Sequence, residues 1–334
     1  MIYLVILSII SIVIYSNKFF KKKKILLNYI GNKHQKFSSQ ETVPLIGGFF
    51  ILFYIFLNDF NTYLKIFSLL IFFTGLFSDL NLLKSPSKRI IIQAFIIFTF
   101  LFFTEIKIEN IRINFLDQIL KHNLLNYMFL TFCIIVVMNG TNFIDGINSN
   151  VLIYYLMIFF LIIIFNNKYI LFLDKDLIQN FILLLLVLIF LNFNSKLFIG
   201  DNGSYLLSFF SSYFLINFYL DNQFISPFFI ILLLWYPGFE NLFSIIRKYN
   251  AGLSPIKPDT NHLHHLVFKF LKKKYKFKNS NNLSTLLISS FNLIIISVGF
   301  LHFSNTQFQI FLILINVIFY CFIYLRLYKF VNRS

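Results

Sequence analysis

Residues 139–150, NGTNFIDGINSN, form a polar segment between two strongly apolar runs at residues 124–138 and 151–165. Amide and carboxylate side chains recur at every third position of this segment, at Asn139, Asn142, Asp145 and Asn148. A step of three residues along an α-helix is about 300°, so these side chains drift around the helix unless the backbone breaks. Gly140 and Gly146 permit such a break. The segment therefore predicts a group of polar side chains at the mouth of an apolar helix bundle, although Asp-Gly and Asn-Gly also suit an ordinary turn.

The composition places this segment in a membrane protein. The chain has 334 residues, of which 58% are hydrophobic and 13% charged, and its mean hydropathy is +0.77. Many apolar runs approach the roughly 20 residues that a helix needs to cross a bilayer. We therefore expect an all-α, polytopic, single domain over residues 1–334. The eleven candidate spans are residues 2–16, 44–57, 64–77, 90–103, 124–138, 151–165, 177–193, 205–220, 226–246, 283–303 and 308–327.

The basic residues predict the orientation of the spans. Most Lys and Arg residues fall on one side, which holds the C-terminus and the loops at residues 17–43, 78–89, 139–150, 194–204 and 247–282. The positive-inside rule then places the N-terminus outside and the C-terminus in the cytoplasm. The net charge of +16 is explained by this topology and by contact with anionic membrane lipid, so we expect no nucleic acid partner. On the outer side, the alternation in residues 104–123 predicts a small hairpin.

Four further motifs lie on the predicted cytoplasmic side. They are VPLIGG at residues 43–48, GLFSDLNLLKSPSKRIIIQ at 75–93, FIGDNGS at 198–204 and PIKPDTNHLHH at 255–265. Asp79 in the second motif is followed by Lys84, Lys88 and Arg89, and Asp201 lies in the third. Mg²⁺ prefers carboxylate oxygens together with substrate phosphates. The three histidines of the last motif could form a zinc site, but a polar substrate-binding loop fits their spacing better. The residues alone thus indicate Mg²⁺-assisted phosphoryl chemistry on a lipid.

Taken in order, the motifs resemble those of the polyprenyl-phosphate N-acetylhexosamine-1-phosphate transferases, which form glycosyltransferase family 4. The resemblance runs from about His34 to His265. It implies that a polyprenyl phosphate such as undecaprenyl phosphate attacks a UDP-N-acetylhexosamine, with release of UMP. The product would prime a surface polysaccharide such as O-antigen, capsule or cell wall polymer. The implied location is the bacterial inner membrane, with the active site on the cytoplasmic face. A homodimer is compatible with the resemblance, although no residue argues for one.

The resemblance also implies roles for individual residues. Asp201 and Asn142 match positions that hold Mg²⁺, or Mn²⁺, on the diphosphate. Phe198 matches a ring that stacks on uracil, and Asn148 an amide that reads the edge of that base. Asp79 and Lys88 match groups near the lipid phosphate, and Asp145 matches a conventional active-site acid. His262, His264 and His265 match the loop that closes over the sugar and the diphosphate. Asn139 is a further predicted substrate-binding residue.

Two positions depart from the family pattern. Ser78 stands where the first of two adjacent acids is usual, and Glu240 stands where Asp is usual. A phosphate monoester is already largely a dianion at pH 7, because its second pKa is about 6. Its attack therefore needs little proton abstraction, and we expect a direct in-line displacement in which Asp79 positions the groups.

Three questions remain open at this level. VPLIGG and H-x-H-H favour N-acetylglucosamine 1-phosphate over MurNAc-pentapeptide, with modified N-acetyl-deoxyhexosamines as alternatives. A transporter or lipid flippase is the rival from another class, and it predicts charged residues within the spans. A non-catalytic relative of the transferases is the second rival, and Ser78 is the residue that suggests it.

Overall fold

The computed structural model describes residues 2–23, 25–27, 42–169, 175–255, 259–277 and 279–332. Two sequence predictions lie partly outside these ranges, namely the start of the resemblance near His34 and residues 256–258 of the histidine motif. Fourteen α-helices run through the described part: α1 Ile2–Lys23, α2 Gly47–Leu57, α3 Thr62–Asp79, α4 Pro86–Thr104, α5 Asn114–Leu120, α6 Asn123–Ile144, α7 Asn150–Tyr169, α8 Lys175–Phe193, α9 Gly200–Asp221, α10 Pro227–Leu233, α11 Trp235–Asn250, α12 Leu263–Lys274, α13 Ser280–Leu301 and α14 Thr306–Asn332.

Six of these described helices are long and apolar enough to cross a membrane. The number becomes seven if α10 and α11, which meet at a bend of 73°, form one broken span. The apolar helix α2 and the apolar segment Asn150–Phe165 of α7 are shorter. The described part of the chain is therefore all-helical, as predicted, with several helices long and apolar enough to cross a membrane, whereas eleven spans and the orientation of the termini remain predictions.

Helix α9 lies at the centre of the bundle, because most of its side chains are buried and α2, α3 and α6 pack against it. Glycines allow the close approach at its first turn. A Cβ on Gly75 of α3 would lie 2.5 Å from the carbonyl oxygen of Asp201, and one on Gly48 of α2 would lie 2.7 Å from the amide nitrogen of Gly203. The start of α9 is therefore held tightly by two other helices.

Helix α6 continues through Gly140 and ends at Ile144, so the break predicted at Gly140 is wrong. A Cβ on Gly140 would lie 2.5 Å from the carbonyl carbon of Pro237, which shows that this glycine lets α6 and α11 touch. The helix ends four residues after Gly140, and Ser149, in the turn that follows, has a φ of 61°.

The hairpin predicted at residues 104–123 is also wrong, since this described segment contains no strand and includes α5. Its polar backbone finds side-chain partners instead. The side chain of Asn126 accepts the N–H of Ile108 at 3.1 Å and donates to the carbonyl of Ile108 at 2.9 Å. Arg112 has a φ of 59°, which turns the chain away from an extended path.

Candidate active site

A cavity of about 770 Å³ lies at the end of the bundle where α3, α6 and α11 end and α4 and α9 begin. Nine of the eleven predicted site residues line it: Asp79, Asn139, Asn142, Asp145, Asn148, Phe198, Asp201, His262 and His265. His264 is fully buried, and Lys88 is exposed on the first turn of α4. Motifs that are distant in sequence thus meet at one cavity.

Asp79 holds the beginning of α9. Its two carboxylate oxygens accept the backbone N–H groups of Asp201 and Asn202, each at 3.0 Å, and Oδ2 also accepts the side-chain amide of Asn202 at 2.5 Å. Gly200 must be a glycine here, because its φ is +70° and a Cβ would lie 2.9 Å from Asp79 Oδ2. Asp79 therefore places Asp201 in the cavity.

Asp201 is surrounded by donors. Its Oδ2 accepts the hydroxyl of Ser78 at 2.5 Å and Nη1 of Arg89 at 2.7 Å, and its Oδ1 accepts the amide of Asn142 at 2.6 Å. Nη1 of Arg89 also donates to the Ser78 hydroxyl. This cluster joins α3, α4, α6 and α9 at one carboxylate.

The positive charge beside Asp201 comes from Arg89. The basic site residue predicted from the motif was its neighbour Lys88. Neighbouring residues on a helix point about 100° apart, and of these two Arg89 lines the cavity whereas Lys88 is exposed. Arg89 lies on the face that also holds Pro86, which lines the cavity, and Gln93, which is fully buried. Residues spaced by three and four along a helix share one face, so this spacing in the sequence could have indicated that Arg89 faces the site.

Asp145 and Asn148 lie in the turn between α6 and α7. Burial, followed by the negative charges of Asp201 and Asp79, raises the pKa of Asp145 well above its usual range. The amide of Asn148 donates to Asn282 of α13 at 3.3 Å, while its Oδ1 is buried without a partner among the described residues. Asn148 thus presents an unused acceptor in a residue that lines the cavity.

His262 lies between two acidic side chains. Its Nδ1 is 3.0 Å from Oε1 of Glu240, and its Nε2 is 3.3 Å from Oδ1 of Asp259. Tyr320 of α14 donates to the other oxygen of Glu240 at 2.5 Å. Although burial opposes ionisation of Asp259, the hydrogen bond from Arg247 at 2.7 Å lowers the pKa of this carboxyl below its usual value. The histidine motif is thereby fastened to α11 and α14.

His264 and His265 pack against Gly146 of the opening segment. A Cβ on Gly146 would lie 2.6 Å from Nε2 of His265 and closer still to Nε2 of His264. Burial is the main cause that lowers the pKa of His265 to about 3, and it lowers the pKa of His264 well below the usual value. Both rings are therefore neutral at pH 7.

The motif at residues 43–48 places Phe198. The backbone of Phe198 donates to the carbonyl of Pro44 at 2.9 Å and accepts from the N–H groups of Ile46 and Gly47 at 3.1 and 3.0 Å. These bonds fix the backbone just before α9, and the Phe198 side chain lines the cavity.

One wall of the cavity is apolar and open. It includes Phe132 and Ile135 of α6 and Leu242 and Ile245 of α11. Phe132 is 60% exposed on α6, which is long and apolar enough to cross a membrane, and Leu242 is 42% exposed on α11, which meets that test together with α10. The polar cavity is therefore continuous with a surface suited to lipid chains.

The residues of the cavity could hold a divalent cation only together with a bound phosphate ligand. No group of three His, Cys, Asp or Glu side chains in the described ranges is arranged to hold a metal ion. Asp201 and Asn142 offer the hard oxygen ligands that Mg²⁺ prefers, and Mg²⁺ commonly takes its remaining ligands from water and substrate phosphates. The donor set thus suits a cation that is bound together with a phosphate.

Comparison with known proteins agrees with this arrangement. Residues 61–219 match the model of glycosyl transferase family 4. The match includes α3, α4, α6 and α9 and the cluster around Asp201. This region of the chain is therefore similar to glycosyl transferase family 4, which supports the family that the motifs predicted. No curated protein matches the chain.

Four residues were missed or undervalued as site residues, namely three that line the cavity and Glu240, which contacts His262. They are Ser78, Arg89, Glu240 and Asp259. Ser78 and Glu240 had been noted as departures from a pattern, but their partners lie on other helices. Only the fold shows that Ser78 contacts Asp201 and that Glu240 contacts His262.

Proposed function

We propose that this protein transfers an N-acetylhexosamine 1-phosphate from a UDP-sugar to a polyprenyl phosphate such as undecaprenyl phosphate, with release of UMP. The GlcNAc donor is the first one to test. The observation that carries the proposal is the continuity of a carboxylate- and arginine-lined cavity with an apolar wall, in a chain similar to this family. The donor is water-soluble and the acceptor is a lipid, so the two can meet only where a polar cavity adjoins an apolar surface.

The polyprenyl chain fits the apolar wall between α6 and α11. The exposed rings and branched side chains there, including Phe132 and Leu242, would cover the first isoprene units. The phosphate at the end of the lipid then lies toward Arg89 and Asp201, the charged groups of the same cavity.

The nucleotide fits the opposite part of the cavity. Phe198 offers a ring for stacking on uracil, and the buried Oδ1 of Asn148 offers an acceptor for the imide N–H of the base. The histidine motif would close over the sugar and the diphosphate, because His262 and His265 line the same cavity.

The reaction we propose is a single displacement. A phosphate oxygen of the acceptor attacks the phosphorus that carries the sugar, the bond from this phosphorus to the bridging oxygen breaks, and UMP leaves with that oxygen. The acceptor is already largely a dianion at pH 7, since its second pKa is about 6. Asp79 has both oxygens engaged with the start of α9, which supports a positioning role for this residue over a nucleophilic one.

Charge is the main obstacle to this step, because two anionic phosphates must approach three carboxylates. Arg89 provides a fixed cation beside Asp201. Bound Mg²⁺, held by Asp201 and the side-chain oxygen of Asn142, would supply Lewis-acid neutralisation of the diphosphate. We further propose that the cavity faces the cytoplasm of a bacterial inner membrane, because the loops around it carry most of the basic residues.

The test is release of UMP by the full chain purified in detergent, with undecaprenyl phosphate, Mg²⁺ and UDP-GlcNAc. Asp201→Asn and an EDTA sample should abolish release, and the exposed Asp59, changed to Asn, serves as the matched control that keeps it. If UDP-GlcNAc fails, the assay is repeated with other UDP-N-acetyl sugars. If the folded protein releases no UMP with any of these donors, the proposal is refuted and the protein is a non-catalytic relative.

The same preparation tests the transport rival. A flippase moves the lipid between leaflets of a vesicle without changing it chemically. Transbilayer movement in vesicles without UMP formation would support that rival, and metal-dependent UMP release would exclude it as the sole activity.

A further inference from the structure

Arg89 pairs with the carboxylate that the proposed donor complex needs. Asp201 has no free oxygen among the described residues, because Oδ2 binds Ser78 and Arg89 and Oδ1 binds Asn142. Arg89 and Asp201 are 18% and 27% exposed as side chains, so their ion pair is only partly screened by solvent. A divalent cation and Arg89 therefore compete for the same carboxylate.

The guanidinium of Arg89 has unused capacity. Only Nη1 takes part in its hydrogen bonds to Ser78 and Asp201, while Nε is buried and has no partner in the described part of the chain. A buried donor without an acceptor is unfavourable. The flat fork of a guanidinium matches two oxygens of a phosphate, and Arg89 lines the cavity where the diphosphate is proposed to lie.

We propose that Arg89 is an exchangeable counter-ion. In the empty site Arg89 neutralises Asp201, and when a nucleotide diphosphate arrives with its divalent cation, Arg89 leaves Asp201 and binds a phosphate oxygen. The inference rests on the proposed function, because it assumes that the ligand is a diphosphate with its cation. The exchange leaves Asp201 with a cationic partner both before and after binding.

Ser78 makes the exchange easy in this chain. Its hydroxyl is neutral and donates to Asp201, so it can keep this bond after the guanidinium has moved. A carboxylate at the same position would attract Arg89 and hold it there. In this cluster the neutral hydroxyl of Ser78 orients Asp201, and Arg89, which is free to move, neutralises the charge of Asp201.

The experiment measures Mn²⁺ binding to the full chain in detergent by electron paramagnetic resonance, with and without UDP. Arg89→Met should bind Mn²⁺ about tenfold more tightly than the wild type without UDP, because a charged hydrogen bond no longer competes for Asp201. With UDP present the order should reverse, and Arg89→Met should bind Mn²⁺ about tenfold more weakly because the contact to phosphate is lost.

Lys84→Met is the matched control, because Lys84 is exposed in the loop before α4 and its loss removes the same charge. Its Mn²⁺ affinity should stay within about twofold of the wild type under both conditions. Equal effects of Lys84→Met and Arg89→Met, or no reversal with UDP, would overturn the exchange in favour of general electrostatics.

Ser78→Ala keeps the inference testable if Arg89→Met does not fold. This variant retains every charge and removes the hydrogen bond that Arg89 donates to Ser78. Arg89 is then held less firmly beside Asp201, so Mn²⁺ alone should bind about threefold more tightly. Unchanged or weaker binding would contradict the exchange.

The outcome is separable from that of the proposed function. Mn²⁺ and UDP binding need no transfer reaction, so the exchange can fail in a protein that releases UMP. Conversely, a protein without transferase activity can still show the reversal.

Discussion

The carboxylate of Asp79 accepts the backbone N–H of Asp201 at 3.0 Å, so the last residue of α3 caps the helix on which Asp201 lies. Ile199, at the N-cap position of α9, makes no side-chain cap bond of its own. The position of the proposed metal-binding carboxylate is therefore set by another carboxylate from a distant part of the chain.

Asp79→Ala should lower both stability and activity, because the first N–H groups of α9 lose their acceptor. We expect a loss of about 1–3 kcal/mol in the free energy of unfolding. Thermal unfolding in detergent and UMP release measure the two effects, with Asp59→Ala as the exposed control. If Asp79→Ala keeps the thermal unfolding midpoint and the UMP release of the wild type, the capping role is contradicted.

Gly146→Ala should disturb the histidine motif. The new methyl group would lie 2.6 Å from Nε2 of His265, so the ring must move and UMP release should fall by at least about tenfold. Gly238→Ala is the matched control, since a Cβ there meets no atom within 4 Å. Equal activity of the two variants would show that the position of these rings does not matter for the reaction.

Asn282→Ala should weaken recognition of the nucleotide without changing the chemical step. Asn282 accepts the Asn148 amide and thereby fixes which atom of Asn148 remains as a free acceptor. We expect KM for the UDP-sugar to rise about threefold to tenfold with kcat unchanged. Asn279→Ala, at an exposed position that makes no cap bond, is the control. A fall in kcat with unchanged KM would rule out this positioning role.

Stability should decrease as the pH is lowered from about 7 to about 4. Burial lowers the pKa of His265 to about 3, whereas an unfolded histidine binds its proton near pH 6.5. Between these values the unfolded state binds more protons, so protonation favours unfolding. His265→Gln should flatten the dependence of the unfolding midpoint on pH, and the exposed His302, changed to Gln, should not. A wild-type midpoint that is the same at pH 7 and pH 5 would refute the prediction.

Arg112→Ala should reduce stability without altering the chemistry. At the end of the bundle remote from the cavity, Nη1 of Arg112 donates to Ser304 and Thr306 at 2.9 Å, and Nη2 donates to carbonyls of residues 223–225 at 3.0–3.2 Å. Their loss should lower the unfolding midpoint by a few degrees, or about 1–2 kcal/mol. The kcat and KM of the folded variant should match the wild type, and a changed KM would show that the two ends are coupled.

The sequence allowed most of the site to be predicted because its residues lie in short motifs between apolar runs. Asn142, Asp145 and Asp201 could be named because polar groups at the end of a membrane helix need a reason to be there. The hairpin at residues 104–123 was mispredicted because alternation of polar and apolar residues does not show what the backbone bonds to. In the structure, the side chain of Asn126 makes the hydrogen bonds to the backbone of Ile108 that a second strand would have made.

Hydropathy and motif order by themselves were enough to predict an all-helical chain with several long apolar helices and a similarity to glycosyl transferase family 4. Both are properties of local sequence and can be recognised without knowledge of the contacts between helices. The tertiary structure alone decided which cation faces Asp201, what Asp79 binds and why Gly140 is a glycine. Each of these depends on distances between helices that are far apart in sequence. Burial makes such contacts strong, and no pattern along one helix records them.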